Sequence, residues 1–241
     1  MQVIKTKDYN EMSHVAGVIV EALIREKPDA VLGLATGSTP IGLYEHLVEA
    51  HQKGGLDFQH VTTFNLDEYL DLPKDHPQSY HTFMYENLFG KVNLSPDRIH
   101  FPDEEYDAIE ESAESYDARI RRAGGIDLQV LGIGRNGHIA FNEPVEELSF
   151  FTSTVSLTPS TREANARFFS SIEDVPTRAV SSGMGTIMQA KHLLILANGA
   201  DKREAVARLL DGHKVTTSCP VTLALLHPNV TLIVDEAAAG C

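Results

Sequence analysis

A glycine-rich segment carries the histidine whose neighbours best suit proton transfer. Asn136 lies two residues before His138, and Glu143 lies five residues after it. A neutral imidazole titrates near neutral pH, and a nearby carboxylate or amide can orient its ring, so this combination is typical of general acid–base catalysis. An isolated histidine is more often a surface or packed residue, but this one follows an apolar run and has an acid nearby, which favours a functional role. We therefore take His138 as a candidate catalytic residue, with Asn136 and Glu143 as its partners.

Two further acidic residues stand at the end of another apolar run. Asp67 and Glu68 directly follow residues 61–66. A carboxylate at the carboxyl end of a strand can serve as a general base when its surroundings set its pKa suitably. The alternative is a cap on a helix or turn, which aspartate supplies routinely. The residues alone leave both interpretations open.

A run of hydroxyl residues and glycine offers a site for an anion. Thr36, Gly37, Ser38 and Thr39 follow an apolar run and precede Pro40, which suits a first helical turn. Glycine permits close approach of the backbone, and unpaired N–H groups at a helix N-terminus bind phosphate. A simple N-cap would account for one of the hydroxyl groups equally well. Both an anion site and an N-cap stay possible at this point.

Lys202 lies near the start of a predicted helix, shortly after the apolar run at residues 192–197. A cation at that end opposes the helix dipole, so the side chain either is solvated or meets an anion. From the residues alone, the solvated side chain is the favoured interpretation.

Several familiar cofactor and metal sites are missing from the sequence. Gly132, Gly134 and Gly137 have the spacing of a dinucleotide fingerprint, but residues 142–144 break the chain where an amphipathic helix should begin. The sequence contains no P-loop Gly-Lys-Ser/Thr, no H-E-x-x-H or cysteine pair for zinc, and no Gly-x-Ser-x-Gly nucleophile elbow. We therefore predict no metal and no nucleotide cofactor.

The charge balance limits the classes of partner. The 241 residues include 20 Lys and Arg against 34 Asp and Glu, which gives a formal net charge of −14. Such a chain repels a nucleic-acid backbone and an anionic membrane surface. The N-terminus lacks the apolar region of a secretory signal, and the two cysteines, Cys219 and Cys241, provide no disulfide framework. We expect a cytoplasmic protein that binds a small molecule, with no nucleic-acid or membrane partner.

Short apolar runs alternate with longer segments of helical periodicity, which predicts a Rossmann-like α/β fold with a mainly parallel sheet and helices on both faces. At this length a single domain over residues 1–241 is the expected organisation. The predicted strands are residues 30–35, 61–66, 126–132, 177–181, 192–197 and 230–235. The predicted helices are residues 9–25, 40–52, 79–89, 107–122, 162–169 and 202–210. In such sheets ligands bind beyond the carboxyl ends of the strands, where the candidate residues lie.

With these segments identified, the sequence resembles the glucosamine-6-phosphate deaminase family over essentially its whole length. The resemblance is carried by Gly33-Leu-Ala-Thr-Gly-Ser-Thr-Pro40, Asn65-Leu-Asp-Glu-Tyr69 and Gly132-Ile-Gly-Arg-Asn-Gly-His-Ile-Ala-Phe-Asn-Glu-Pro144. Further matches are Thr161-Arg162, residues 164–169 and residues 199–202. Each glycine-rich match is weak alone, but the order and spacing of all of them are specific.

The resemblance implies an enzyme of amino-sugar catabolism, a hydrolytic deaminase-isomerase that works without a cofactor. It would convert glucosamine 6-phosphate and water into fructose 6-phosphate and ammonia. His138 would move protons during opening of the sugar ring, with Glu143 and Asn136 orienting the imidazole. Asp67 would carry a proton from carbon 2 to carbon 1.

The resemblance also implies a set of substrate-binding residues and an assembly state. The set comprises Thr36, Gly37, Ser38, Thr39, Gly134, Gly137, Arg167 and Lys202. It therefore moves Lys202 from a solvated to a functional interpretation. Asn136 stands where longer members have aspartate, and Ser38 replaces a common glycine. The chain lacks the C-terminal extension that longer, hexameric members use for allosteric activation, so the implied form is a non-allosteric monomer or small homo-oligomer.

Two other functions compete with the deaminase. A 6-phosphogluconolactonase-type hydrolase has a related fold, but lactone hydrolysis has no carbon-bound proton for Asp67 to move. A phosphosugar-sensing module would need a DNA-binding helix-turn-helix, for which neither the length nor the charge leaves room. The deaminase is the favoured function.

Overall fold

A parallel sheet of seven strands forms the centre of the fold. The computed structural model describes residues 1–102, 115–166 and 169–240. Its strands are β1 (Gln2–Thr6), β2 (Val31–Leu34), β3 (Thr62–Asn65), β4 (Asp67–Tyr69), β5 (Ile99–His100), β6 (Leu128–Gly132), β7 (Ser153–Ser156), β8 (Arg178–Ser181), β9 (Leu193–Ala197) and β10 (Val230–Asp235). The large sheet has the order β1-β10-β9-β6-β2-β3-β5, with every neighbouring pair parallel. The predicted mainly parallel sheet is confirmed.

Helices cover both faces of this sheet. They are α1 (Tyr9–Glu26), α2 (Ile41–Gln52), α3 (Tyr80–Asn87), α4 (Tyr116–Arg122), α5 (Pro159–Ala166), α6 (Met184–Met188), α7 (Arg203–Asp211) and α8 (Glu236–Ala239). Leu194 and Leu196 of β9 belong to the apolar cluster under α1, α2 and α3. Leu193 and Ile195 belong to the cluster under α4, α6 and α7. Burial on both faces explains why the strands are nearly continuous apolar runs.

Most predicted elements match the structure within a few residues. The bounds of three predicted helices need comment. The helix predicted at residues 162–169 is α5, which begins earlier, at Pro159. The helix predicted at 202–210 begins at Arg203, because Lys202 ends a separate 3₁₀ turn, Ala200–Lys202. The part of the helix predicted at 107–122 that falls on residues 107–114 lies outside the described residues. Within the described ranges, no helix combines the length and the apolar character needed to cross a bilayer.

A smaller antiparallel sheet contains β4, β8 and β7 in that order. The strand predicted at residues 177–181 therefore exists as β8, but it does not belong to the parallel sheet. Only Leu66 separates β3 from β4, so the chain passes directly from the carboxyl end of one sheet into the other. Asp67 is paired with Ser181 across β4 and β8. Asp67 does follow the end of β3, as predicted from the sequence. It is also the first residue of β4, so backbone pairing with β8 fixes its position.

The amino ends of β2 and β6 are held together by a buried carboxylate. Asp127 accepts hydrogen bonds from Lys27 Nζ at 2.6 Å, Lys191 Nζ at 2.8 Å and the Val31 N–H at 2.8 Å. Burial alone would raise the pKa of Asp127, but these donors lower it below its usual value. The strands that carry the candidate residues at their carboxyl ends are thus fixed at the opposite end.

Candidate active site

The carboxyl ends of three adjacent strands carry the candidate segments. Strand β6 lies between β9 and β2 in the large sheet. Residues 36–39 follow β2, the His138 segment follows β6, and Lys202 follows β9. The chain leaves β2 toward β3 on one side and leaves β6 toward β9 on the other, which makes the gap between β2 and β6 a topological switch point. Ligand crevices of open α/β sheets form at such points.

The His138 segment is a tight turn in which two glycines make room for neighbouring side chains. The Gly134 N–H donates to the His138 carbonyl at 2.9 Å, and the Gly137 N–H donates to the Gly134 carbonyl at 3.0 Å. A Cβ on Gly134 would lie 2.3 Å from the His138 ring. Gly137 has a φ of +86°, and a Cβ there would lie 2.4 Å from the Cys219 sulfur. Packing and backbone conformation therefore require both glycines.

Glu143 is held in place by several donors. Its Oε2 accepts from Asn136 Nδ2 at 2.8 Å, its Oε1 accepts from Thr161 Oγ1 at 2.6 Å, and Oε1 lies 3.4 Å from His138 Nδ1. Burial alone would raise the pKa of Glu143, but the adjacent His138 imidazole, with the hydrogen bonds from Thr161 and Asn136, holds that pKa at about 2. Glu143 is therefore an anion at neutral pH and can stabilise a protonated imidazole.

Asn136 contacts both members of this pair. Its Oδ1 accepts the backbone N–H of His138 at 3.2 Å, while its Nδ2 donates to Glu143. Because the carboxylate can only accept, the Asn136 amide must turn its NH₂ group toward Glu143, which leaves Oδ1 for the His138 N–H. The structure thus brings Asn136, His138 and Glu143 together as the sequence predicted.

The turn after His138 is tethered to the strand that pairs with Asp67. The Phe141 N–H donates to Ser181 Oγ at 3.1 Å, and Ser181 is the register partner of Asp67. The two predicted catalytic segments are therefore connected through one serine on β8. The structure places them on the same side of the fold.

Asp67 is buried, with 7% of its surface exposed. In the described parts of the chain, no donor makes a hydrogen bond to its carboxylate. Burial and the neighbouring charge of Glu68 raise the pKa of Asp67 to about 8. A carboxylate with a raised pKa is a stronger base than an ordinary aspartate once it is ionised.

Glu68 has a different role from its neighbour. Its Oε1 accepts the N–H groups of Tyr69 and Tyr80 at 2.8 and 3.0 Å, and its Oε2 accepts the N–H and Nδ1 of His81 at 2.9 and 2.8 Å. These bonds tie β4 to the first turn of α3. Side chains alternate along a strand, so Asp67 faces the other side. Of this acidic pair, Glu68 is therefore the residue that caps a helix, and Asp67 is not.

Residues 36–39 precede α2 without capping it. The N-cap residue is Pro40, which makes no side-chain cap bond, and no side chain of residues 36–39 accepts an N–H of the first turn. The Tyr9 hydroxyl accepts the Gly42 N–H at 2.9 Å and donates to the Ser38 carbonyl at 3.0 Å, which fixes the loop against α1. The N-cap alternative is therefore wrong. An anion site at this helix start stays a prediction.

The turn after β9 lies beside this loop. Thr39 Oγ1 donates to Asn198 Oδ1 at 3.0 Å, which joins the two segments. Lys202 Nζ lies 3.7 Å from Asp201 Oδ2, and Arg135 Nε lies 2.9 Å from the same oxygen. Lys202 follows Asn198 by four residues on this turn, and its role as a phosphate ligand stays a prediction. Arg167, the other predicted cation, lies outside the described residues.

Comparison with known proteins decides the family. The model of the family described as glucosamine-6-phosphate isomerases/6-phosphogluconolactonase matches residues 10–233. The chain belongs to this family. The family description covers two activities, and its individual members show which of them the chain resembles more.

Within the family, full-length relatives at high identity are deaminases. The glucosamine-6-phosphate deaminase of Thermoanaerobacter pseudethanolicus is 51% identical over 240 residues, with 100% of this chain and 94% of the relative covered. The same-named protein of Halothermothrix orenii is 51% identical, with 100% and 99% covered. The solved structure of a monomeric glucosamine-6-phosphate deaminase matches with a TM-score of 0.93 and 43% identity, covering 100% and 99% of the two chains. A 6-phosphogluconolactonase from Trypanosoma cruzi matches at a TM-score of 0.74 and 22% identity, covering 99% and 96% of the two chains, which shows the fold alone.

Three residues around the candidate site were not singled out by the sequence patterns. They are Tyr9, Thr161 and Ser181. Thr161 lies inside a segment that resembles the family, but that segment did not predict its contact with Glu143. Tyr9 and Ser181 carry no such signal, because their partners are far away in the sequence.

Proposed function

We propose that this protein is a glucosamine-6-phosphate deaminase, which converts glucosamine 6-phosphate and water into fructose 6-phosphate and ammonia. Identity of 51% to deaminases over the whole chain supports this assignment. One structural observation carries the chemistry: Asp67 is buried and receives no hydrogen bond from any described residue, and the turn after His138 is tethered to Ser181, the register partner of Asp67. The reaction needs both a base for a carbon-bound proton and a group that moves protons between oxygens.

The first step is opening of the sugar ring at the His138–Glu143 pair. His138 removes the proton of the anomeric hydroxyl, the bond between carbon 1 and the ring oxygen breaks, and the same imidazole returns the proton to that oxygen. The imidazole is positively charged between these events. The anionic Glu143 beside Nδ1 stabilises that charge.

The second step moves a proton between carbons at Asp67. The carboxylate removes the proton from carbon 2 while the substrate ammonium group gives one proton to the carbon 1 oxygen, which yields an enolamine. The carboxylate then delivers its proton to carbon 1, which leaves a protonated imine at carbon 2. Water adds to the imine carbon and ammonia departs, giving the ketose. The substrate ammonium group, bound next to Asp67, favours the ionised carboxylate and so offsets the effect of burial.

The substrate phosphate would bind between the loop of residues 36–39, after β2, and Lys202, after β9. Thr36, Gly37, Ser38 and Thr39 would offer N–H groups and hydroxyls, and Lys202 and Arg167 would supply charge. Gly134 and Gly137 would let the sugar approach the His138 turn. No step of this scheme calls for a metal or a cofactor.

We also propose that the protein works in the cytoplasm, as a monomer or small homo-oligomer. A phosphorylated sugar carries charges that do not cross a lipid bilayer, so its substrate is a metabolite of the cell interior. The monomeric deaminase of similar structure supports the small assembly.

A direct assay tests the proposed activity. Purified protein with glucosamine 6-phosphate and a chelator should release ammonia and fructose 6-phosphate in equal amounts. Asp71→Asn is a matched control, because Asp71 is a partly exposed carboxylate that pairs with Arg178 just beyond β4. This control should keep the wild-type rate, whereas Asp67→Asn should lose it. Hydrolysis of 6-phosphogluconolactone without ammonia release would overturn the proposal.

A further inference from the structure

The Thr161 hydroxyl reaches Glu143 from a separate element. Thr161 lies in the first turn of α5, 18 residues after Glu143, and its Oγ1 is 2.6 Å from Glu143 Oε1. The same oxygen is the one that lies 3.4 Å from His138 Nδ1. Because an ionised carboxylate only accepts hydrogen bonds, the Thr161 hydroxyl must be the donor.

The Thr161 hydroxyl also contacts the hydroxyl of Thr158. Its Oγ1 lies 2.9 Å from Thr161 Oγ1 and accepts the Thr161 N–H at 3.2 Å. Its carbonyl accepts the Arg162 N–H at 2.9 Å, so Thr158 caps α5. Since the Thr161 proton goes to Glu143, the Thr158 hydroxyl donates to Thr161. The two hydroxyls form a chain that ends on the carboxylate, and each donor in such a chain strengthens the next.

We propose that Thr161 is a positioning residue, whose hydroxyl holds the Glu143 carboxylate with Oε1 toward His138 and thereby links the ring-opening pair to helix α5. This inference rests on the proposed deaminase function. Asn136 holds only the other oxygen, Oε2, so one donor from its own segment leaves the carboxylate free to rotate about that contact. Thr161, with 9% of its surface exposed, supplies the second fixed point from outside the segment.

The link has a consequence for substrate binding. Helix α5 ends at Ala166, and Arg167, a proposed phosphate ligand, is the next residue in the sequence. The helix whose start orients Glu143 therefore leads directly to the residue proposed to meet the phosphate.

Three substitutions at Thr161 and one elsewhere test this role. Thr161→Val removes the hydroxyl with little change in volume, Thr161→Ala removes it without any risk of crowding, and Thr161→Ser keeps it. Thr63→Val is the matched control, because the Thr63 hydroxyl is buried in β3 and has no hydrogen-bond partner among the described residues. The measurements are kcat and KM for glucosamine 6-phosphate, the melting temperature, and the ¹⁵N NMR shifts of the His138 ring.

The valine and alanine variants should lose about 10- to 100-fold in kcat, with KM changed by less than about threefold, because orientation at the reacting atoms is lost while phosphate contacts stay. The serine variant and Thr63→Val should retain the wild-type kcat. The His138 nitrogen shifts should move in the valine and alanine variants, since Nδ1 then faces a less ordered carboxylate. If one variant fails to fold, the other still gives this result.

Two results would overturn the inference. One is a wild-type kcat and unchanged His138 shifts in a folded Thr161→Val or Thr161→Ala protein. The other is an equal loss in Thr161→Ser, which would assign the effect to the methyl group. The NMR shifts do not depend on turnover, so they test the contact even if the wild-type protein releases no ammonia, a result that would contradict the proposed function instead.

Discussion

Asp67 and Glu143 are two carboxylates at the same side of the fold, and their surroundings are opposite. Asp67 is buried on a strand, receives no hydrogen bond from any described residue and sits beside the negative Glu68. Glu143 is also partly buried, but Asn136, Thr161 and His138 all face its oxygens. Burial alone would raise the pKa of both groups. Burial and the charge of Glu68 give Asp67 a pKa of about 8, whereas the groups around Glu143 hold its pKa at about 2.

This difference assigns different chemical roles to identical functional groups. A carboxyl group with a raised pKa can take and return a proton near neutral pH, whereas one with a lowered pKa stays an anion throughout the cycle. Asp67 is therefore suited to proton transfer between carbons. Glu143 is suited to orient and stabilise a histidine that does the transfer.

The largest expected effect comes from Asp67→Asn, which removes the base and keeps the shape. The rate should fall by about 10²- to 10⁴-fold, the usual contribution of a positioned general base. Because the folded-state pKa of about 8 lies above the ordinary 3.8, the wild-type protein loses stability as the pH rises through this interval. The melting temperature of the variant should therefore exceed that of the wild type by a margin that grows from pH 4 to pH 8. A constant margin would contradict the raised pKa of Asp67.

A smaller effect is expected from Asn136→Asp, which makes the surroundings of Glu143 more like those of Asp67. The substitution removes the amide donor and adds a like charge, both of which raise the pKa of Glu143. Loss of a hydrogen bond to a charged group predicts a drop in kcat of about tenfold. Asn136→Ser serves as the neutral comparison in the same kinetic assay. If the aspartate variant matched the wild type, the amide donor would have no part in holding Glu143.

Glu68→Gln changes the surroundings of Asp67, because it removes the neighbouring negative charge. The pKa of Asp67 should fall, so the rise of kcat/KM with pH should shift to lower pH. The glutamine has one oxygen in place of two acceptors for the N–H groups of β4 and α3, which should cost about 1–3 kcal/mol of stability. A pH profile that stays in place, in a folded variant, would show that the charge of Glu68 does not reach Asp67.

The smallest effect is expected from Arg135→Ala. Arg135 bonds Asp201 next to Lys202, but 73% of its side chain is exposed, and ion pairs at such sites contribute little. KM should change by less than about twofold, and stability by less than about 1 kcal/mol. A tenfold rise in KM would instead place Arg135 among the groups that bind the phosphate.

The sequence predicted the parts of this molecule that repeat a pattern. Strand β10 was predicted at its observed bounds, because an apolar run between polar turns is what a buried parallel strand requires. Residues at the ends of such runs could be predicted as site residues for the same reason, and His138, Asn136 and Glu143 do lie together. Their short spacing kept them within one turn of the chain.

The parts that escaped prediction depend on contacts over long distances in the sequence. Strand β1 is an edge strand in which only Thr6 is buried, and backbone pairing with β10 holds it without an apolar pattern. Strand β8 has the composition of a buried strand, but it pairs with β4 and β7, and its apolar pattern does not show that it lies outside the parallel sheet. The opposite pKa shifts of Asp67 and Glu143 depend on donors such as Thr161, which no spacing rule connects to Glu143.

The most direct test of this account is a ¹³C NMR titration of the carboxyl groups in the ligand-free protein. Spectra of Asp67→Asn and Glu143→Gln assign the two signals. We expect the Asp67 carboxyl to titrate near pH 8, while Glu143 stays ionised as the pH falls, down toward its pKa of about 2 or until the protein unfolds. Titration of Asp67 near pH 4, close to that of an ordinary aspartate, would contradict the account.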